Sequence, residues 1–416
     1  MGYFPSLNDI MEARQRLKGC VNHTSLMRSD FLSREYGCDV MLKREDLQVV
    51  RSYKLRGAYN KILSLSSEER NRGVVCASAG NHAQGVAFSC NKLGIKGAIF
   101  MPVTTPKQKV RQVRTFGNGA VEVILTGDTF DASAAEALAY CREHDMCFVH
   151  PFDDPRIIEG QATVGVEIME DSDTPIDYLF VPIGGGGLLS GVGSYFHWVS
   201  PKTKIIGVEP LGAASMRAAL DAGEVVTLAD VDKFVDGASV KRVGDFNFEV
   251  GSKVLSDVIS VPEGMICTTI LDMYNREAIV VEPAGALSVA ALNLYRDEIK
   301  GKRVVSIISG GNNDITRNEE IKERSLLFEG LKHYFIVRFP QRAGALRSFL
   351  SDVLGESDDI TFFEYKKKTA RENGPAVIGI ELQRREDFEP LLRRMEEQGI
   401  RYEYLNSQPD LFELLV

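Results

Sequence analysis

The sequence predicts an α/β protein that continues into a small ferredoxin-like unit, and three observations carry the prediction. From about residue 70 to 310, short apolar runs repeatedly precede a Gly-containing turn and a helical pattern, the rhythm of parallel α/β construction. After residue 332 the order becomes strand, helix, two strands, helix, strand, that of a βαββαβ unit. A charged connector, DITRNEEIKERSLLFEG, separates the two patterns. A chain of 416 residues, 44% hydrophobic and 26% charged, is long enough for two or three domains.

In the first region VVCAS leads into AGNHAQGVAFSCNKLG, and GAIFMPV leads into TPKQKVRQVRTFG. YLFVPI then leads into GGGGLLSGVGSYFHWV, IIGVEP into LGAASMRAALDAG, and RVVSIIS into GGNND. Each first member reads as a strand that ends at a turn. Ligands of such sheets gather where strand carboxyl ends, loops and helix N-termini converge, so the Gly-rich turns are expected to share one crevice. In the second region the strands are HYFIVRF, ITFFEYK, AVIGIEL and RYEYL. Helices are expected near 344–354 and 386–398: Leu346, Phe349, Leu350, Val353 and Leu354 share one helical face, and Phe388, Leu391, Leu392 and Met395 share another. These are core residues, and the lysine run 366–368 reads as a solvated strand end or loop.

The charge balance excludes some partners. A net charge of -9 and a pI near 5.4 provide no basic field for nucleic acid or anionic lipid. The uncharged run from Tyr178 to Lys202 has nearly the length of a membrane span, but four glycines in its middle argue against one. Seven cysteines without a C-x-x-C pair point to neither a disulfide framework nor a cysteine zinc site. A reduced cytoplasmic setting is expected, and the early charges of the N-terminal segment do not read as a signal peptide.

Four places could carry chemistry. Gly184, Gly185, Gly186 and Gly187 lie between an apolar strand and a helical pattern; backbone free of Cβ can encircle an anion while the helix adds its positive end, which suits a phosphate. The Walker lysine is absent, although Glu209 at the end of the next strand keeps a nucleotide reading open. In SAGNHAQG, from Ser78, free N–H groups at a helix start suit a carboxylate, with Asn81 and His82 adding side-chain hydrogen bonds; a plain cap and an interior histidine are the simpler readings. Ser309 closes a strand and offers a ring nitrogen an uncharged hydroxyl. Lys54, at the start of a helix in RSYKLRGAYN, is a nucleophile once burial or a nearby cation such as Arg56 lowers its pKa. Together a phosphate cradle, a carboxylate cradle, a neutral partner for a ring nitrogen and a lysine describe pyridoxal phosphate holding an amino acid.

At these residues the chain resembles the threonine dehydratases (threonine ammonia-lyases) among the fold-type-II pyridoxal phosphate enzymes. The resemblance rests on SYKLRGAYN, SAGNHAQG, HPFDDPRIIEGQATVGVEI, PIGGGGLLSGV, EPAGALSVAAL and SGGNND, with a tail similar to the ACT-like regulatory domain of the biosynthetic branch. It implies a tryptophan synthase β-like body of two parallel or mixed α/β subdomains over 1–320, the smaller at about 52–155, a connector at 321–332, and an ACT-like domain at 333–416. It also implies roles. Lys54 is the Schiff-base lysine and Cα proton shuttle, Tyr53 lies beside the ring, and Asn81 bonds the phenolic oxygen. Gly184, Gly185, Gly186, Gly187 and Leu188 hold the phosphate, Glu282 lines the ring pocket, and Ser309 faces the ring nitrogen. Ser78, Ala79, Gly80, Asn81 and His82 clamp the substrate carboxylate. An unprotonated ring is a weaker electron sink, which favours loss of the β-hydroxyl over a long-lived carbanion.

The resemblance further implies L-threonine deamination to 2-oxobutanoate and ammonia at the first step toward isoleucine. A homo-oligomer, dimer or tetramer, follows, with isoleucine as inhibitor and valine as opposing effector. The rivals are a serine-preferring dehydratase or racemase and a non-catalytic amino-acid sensor. Ala79 stands where racemases carry a second serine, and His82 and Ala83 depart from the TSGNTG of cysteine synthases. Relatives that bind a divalent cation use an acid at the position of Ser215, so no metal is expected beside Glu209 and Ala213. Ala162 replaces the usual second glycine of GQGT.

Overall fold

The computed structural model describes residues 2–365, 373–408, 411 and 412; the lysine run 366–368 lies outside them. The chain divides into two compact units, Met1–Ile315 and Thr316–Val416.

The first unit holds two sheets. Strands β1 (Leu26–Arg28), β2 (Asp39–Arg44), β7 (Tyr178–Pro182), β8 (Lys204–Pro210), β9 (Asp257–Val261) and β10 (Arg303–Ile308) form one, in the order β1-β2-β10-β7-β8-β9. All its pairings are parallel except β1 on β2. Strands β3 (Val74–Ala77), β4 (Gly97–Met101), β5 (Val121–Leu125) and β6 (Cys147–Phe148) form a parallel sheet in the order β5-β4-β3-β6. The period of two decides which face each residue serves. Val74, Cys76, Ile99 and Met101 enter one core cluster with the helix Asn81–Leu93, while Val75, Ala77, Ala98 and Phe100 enter another with the helix Phe130–Glu143. Both faces are covered, which is why β3, β4 and β7 are apolar throughout.

The strand expectations at β3, β4, β7, β8 and β10 agree with the structure. Five other strands were not read from the sequence. Strand β2, DVMLKR, contains Lys43 with its side chain fully buried, and a charged residue inside a strand hides it from a hydrophobic pattern. Strand β6 spans only two residues, and β5 is partly exposed along its length.

The second unit begins with the helix Asn318–Glu329, formed by residues expected as a connector. Its strands are β11 (Lys332–Pro340), β12 (Asp359–Tyr365), β13 (Asn373–Glu381) and β14 (Tyr402–Tyr404), in the order β12-β13-β11-β14 and antiparallel throughout. With the helices Ala345–Asp352 and Phe388–Glu397 this is the ferredoxin-like βαββαβ arrangement. Phe349, Val353, Leu391 and Met395 reach its core, whereas Leu346 and Leu350 stay exposed; the expected apolar face of the first helix is only half used.

Candidate active site

Lys54 is the first residue of the helix Lys54–Ser64. The chain reaches it through Arg51, a non-glycine residue at φ +58, and through Ser52, which forms a β-bridge to Gly310. The Tyr53 N–H donates to the Ser309 carbonyl at 3.2 Å, and the Gly311 N–H donates to Arg51 at 2.9 Å. The segment carrying the lysine is thus stitched to the end of β10. The Lys54 amine donates to the Pro151 carbonyl at 2.8 Å and lies 5.5 Å from the Tyr53 ring centroid and 5.9 Å from that of Phe152. Desolvation lowers its pKa to about 8 against the opposing pull of Glu282.

Arg56 does not contribute to that shift. Its guanidinium is buried away from the amine and pairs with Glu45 at 2.7 Å and Glu167 at 2.6 Å, while Lys43 pairs with Glu167 at 2.6 Å. Two cations and two carboxylates neutralise one another, so Arg56 spends its charge inside the fold. The expectation that it tunes Lys54 is corrected: burial does so.

The four glycines follow β7 and open the helix Gly187–Val199. Gly186 sits at φ +93, and a Cβ there would lie 2.7 Å from the Asn247 Cβ. A Cβ on Gly184 would lie 3.0 Å from the Ala238 Cα, one on Gly187 3.0 Å from the Phe152 carbonyl oxygen, and one on Gly185 inside the Phe152 ring. A side chain at Gly185 or Gly186 would collide, and one at Gly184 or Gly187 would crowd the backbone. Asn247 shapes the turn further, its amide donating to the Gly185 carbonyl at 2.8 Å and to Phe152 at 3.2 Å. The first helical N–H groups have no intrahelical acceptor, which makes the turn an anion cradle with a positive helix end behind it. Leu188 is buried beneath it.

Asn81 begins the next relevant helix, Asn81–Leu93, with Gly80 as its cap and no side chain occupying the cap position. Its amide donates to the Glu282 carboxylate at 2.6 Å and accepts from the Asn312 amide at 2.7 Å. Burial raises the Glu282 pKa to about 7, with Asp236 adding to the rise and the Asn81 bond opposing it. Ser78 accepts from the Gly80 N–H at 3.2 Å, so Ser78, Ala79 and Gly80 form a tight turn ahead of the exposed helix start. His82 points inward: its Nε2 meets the Val149 carbonyl at 2.9 Å, and burial with the nearby Lys54 charge lowers its pKa to about 3. The imidazole is neutral and interior, and the side chain is not part of a carboxylate clamp. The Ser309 hydroxyl donates to the Ala284 carbonyl at 3.2 Å and is buried.

Glu209 has a role of its own. Its carboxylate accepts from the N–H groups of Met216 at 2.7 Å and Arg217 at 2.9 Å, capping the helix Ser215–Ala222 from the preceding strand. Both carboxylate oxygens are engaged by the helix start, and among the described residues no group of three or more acids, histidines or cysteines has metal-binding geometry.

Sequence reasoning missed Phe152, Asn247 and Asn312. Phe152 stands between the lysine and the glycine turn, and the N–H groups of Phe152 and Asp153 donate to His150 Nδ1 at 3.3 Å and 2.7 Å. Nothing local in sequence marks their roles, because the glycine turn is 62 positions from Asn247 and the partners of Asn312 are more than 200 away. Two buried oxygens, Ser52 Oγ and Asn312 Oδ1, carry no partner. A desolvated amine, a Cβ-free cradle and unmatched polar atoms flanking the lysine segment and the Asn81 amide fit an aldehyde-bearing phosphate ester.

Residues 17–310 match the pyridoxal-phosphate dependent enzyme family, and residues 323–415 match the C-terminal regulatory domain of threonine dehydratase. The chain is 58% identical over 410 residues to L-threonine dehydratase biosynthetic IlvA of Halalkalibacterium halodurans, covering 99% of each chain. It is 60% identical over 407 residues to the Bacillus subtilis protein of the same name, covering 98% of this chain and 96% of that one. Among solved structures it is similar to the processed form of threonine deaminase isoform 2 from Solanum lycopersicum, with a TM-score of 0.73, 37% identity, and coverage of 78% of this chain and 96% of that one.

Proposed function

The chain belongs to the biosynthetic threonine dehydratases within the pyridoxal-phosphate dependent enzymes, and we propose that it deaminates L-threonine to 2-oxobutanoate and ammonia by eliminating water. The observation that carries this reading is the desolvated Lys54 amine, set beside Phe152 against a turn of four glycines where a side chain would collide or crowd the backbone.

In this reading Lys54 holds the cofactor aldehyde, and the backbone of Gly184 to Gly187 with Leu188 holds its phosphate. When bound, pyridoxal phosphate supplies an electron-withdrawing ring that makes the substrate Cα proton acidic enough to remove. A pKa lowered to about 8 makes the neutral, nucleophilic amine more available near pH 7 than an exposed lysine's. The Lys54 amine would then serve as the base for the substrate Cα proton, and proton transfer from a group held in place would be effectively intramolecular. Asn81 offers an N–H to the phenolic oxygen, and Tyr53 and Glu282 border the ring. Ser309 turns its hydroxyl from Ala284 to the ring nitrogen, a rotation about one C–O bond. The backbone N–H groups after Gly80 receive the substrate carboxylate. His82 supports that turn from inside.

Residues 1–320 would carry the catalysis, with 52–155 as the smaller subdomain, and residues 333–416 would respond to isoleucine and, in the opposite sense, valine. Assembly into a dimer or tetramer and a cytoplasmic setting complete the reading. The seven cysteines are all free thiols, as a reducing compartment maintains them, and no described helix is long and apolar enough to cross a membrane.

The purified protein should absorb in the visible, change its spectrum on adding threonine, and release 2-oxobutanoate. A colourless protein that takes up no cofactor would favour the sensor reading instead. Isoleucine should move the threonine saturation curve and the thermal midpoint; if it moves neither, the regulatory assignment is wrong.

A further inference from the structure

An asparagine amide can serve a phenolic oxygen only in one of its two orientations. With Nδ2 forward it donates; rotated half a turn it presents a second acceptor and repels. Asn81 has no backbone contact that makes this choice. Its Oδ1 accepts from Asn312 Nδ2 at 2.7 Å, and its Nδ2 donates to Glu282 Oε1 at 2.6 Å.

Asn312, the donor of the pair, is itself oriented by the fold. Its Nδ2 also donates to the Val50 carbonyl at 2.8 Å, a backbone oxygen that cannot turn into a donor. That contact tells the two ends of the Asn312 amide apart and directs its remaining N–H at Asn81. The Asn312 backbone N–H also helps to lower the Glu282 pKa. Asn312 Oδ1 is left buried and without a partner, so this side chain is held by what it donates. The polarity of the group runs from Val50 through Asn312 to Asn81 and ends on Glu282, leaving one Asn81 N–H uncommitted.

We infer that Asn312 is a positioning residue for the reaction: it fixes the Asn81 amide so that N–H, not oxygen, is offered to the phenolic oxygen of the cofactor. This rests on the function proposed above. Asn312 itself need not touch the reacting atoms.

The test uses the full chain loaded with pyridoxal phosphate, as Asn312→Asp and Asn312→Ala. In Asn312→Asp the oxygens of residue 312 repel the Asn81 oxygen while Glu282 still calls for the Asn81 N–H, so the amide loses its single orientation and offers oxygen to the ring part of the time. In Asn312→Ala the amide is merely released. A phenolic oxygen without its donor holds its proton more tightly, and the pH midpoint of the bound cofactor's absorbance should rise by about one unit. The kcat should fall about a hundredfold for Asp and about tenfold for Ala, with KM changed less. The uncharged Ala variant separates loss of orientation from an added charge, and it decides the matter alone if the Asp variant does not fold. Wild-type midpoints in variants that retain cofactor overturn the inference, whether or not their thermal stability drops. Wild-type protein that never binds the cofactor overturns the functional reading and this inference together; a coloured, active wild type matched by both variants ends only the role of Asn312.

Discussion

Two buried cations, two residues apart on one helix, meet opposite fates. Arg56 lies among Glu45, Glu167 and Lys43 with every charge matched. Lys54 lies among Tyr53, Phe152 and the Pro151 carbonyl with no ion partner in contact. Pairing reinforces the ionised state: the Arg56 pKa is raised by its two carboxylates despite burial, and that of Glu167 is lowered by Arg56 and Lys43 against the desolvation it suffers. Without a contacting partner, burial outweighs the distant pull of Glu282, and the amine drops to about 8. The same low-dielectric interior makes one cation inert and the other chemically available.

The largest effect expected from breaking this contrast is on turnover. Lys54→Ala should lower 2-oxobutanoate formation on the order of 10³-fold or more, since nucleophile and base leave together. The fold should not suffer. The folded-state pKa of Lys54, about 8, lies below the ordinary 10.5, so the unfolded chain binds the proton more tightly between those values and the burial cost is fully present below pH 8. Thermal midpoints of the cofactor-free proteins at pH 7 should therefore be equal or higher in the variant. A variant that turns over threonine normally removes the basis of the proposed function.

Arg56→Met probes the other side. It leaves two buried carboxylates facing Lys43 alone, and removing one partner of a buried pair costs about 3–5 kcal/mol. Denaturant unfolding should show that loss, or little folded protein at all, with cofactor and turnover per folded molecule nearly preserved. Replacing all four charges by apolar residues of similar volume should restore most of the stability. A stable Arg56→Met protein with an altered cofactor spectrum would mean that the two clusters are one.

How much of this was legible depends on how far apart the partners lie. The four glycines and their helix are contiguous, and Gly184 to Gly187 announce a cradle in the sequence itself. Lys54 at a helix start and Ser309 at a strand end are equally local. Arg56 was misread because its partners, Glu45 and Glu167, stand 11 and 111 positions away. Asn312 and Asn81 are 231 positions apart, so their mutual orientation exists only once both sheets are assembled. His82 reads as polar in a polar motif, and only the Val149 carbonyl shows that it faces inward. The helix Asn318–Glu329 was read as a connector because its charges, not its apolar residues, dominate the pattern.

Glu282 offers the smallest and most discriminating test. Its carboxyl is raised from 4.5 to about 7, chiefly by burial, so between those values the folded chain binds the proton more tightly than the unfolded one. Stability contributed by this group is then full below pH 4.5 and is lost as pH rises toward 7. The loss is at most about 3.5 kcal/mol, because a tenfold difference in proton affinity between the folded and unfolded chain is worth about 1.4 kcal/mol. Glu282→Gln keeps an oxygen for the Asn81 N–H and has no proton to lose. Compared as cofactor-free protein from pH 4.5 to 8, the variant should show a flatter stability profile and should be the more stable of the two at pH 8. Glu209, also raised to about 7 by burial, tilts both profiles alike and cancels in the difference. The paired cluster around Arg56 should add no difference in this window, because its charges are matched in the folded state. Parallel profiles for wild type and Glu282→Gln would show that the carboxylate is already compensated, and the division between a matched cluster and an unmatched site would then lie elsewhere in the fold.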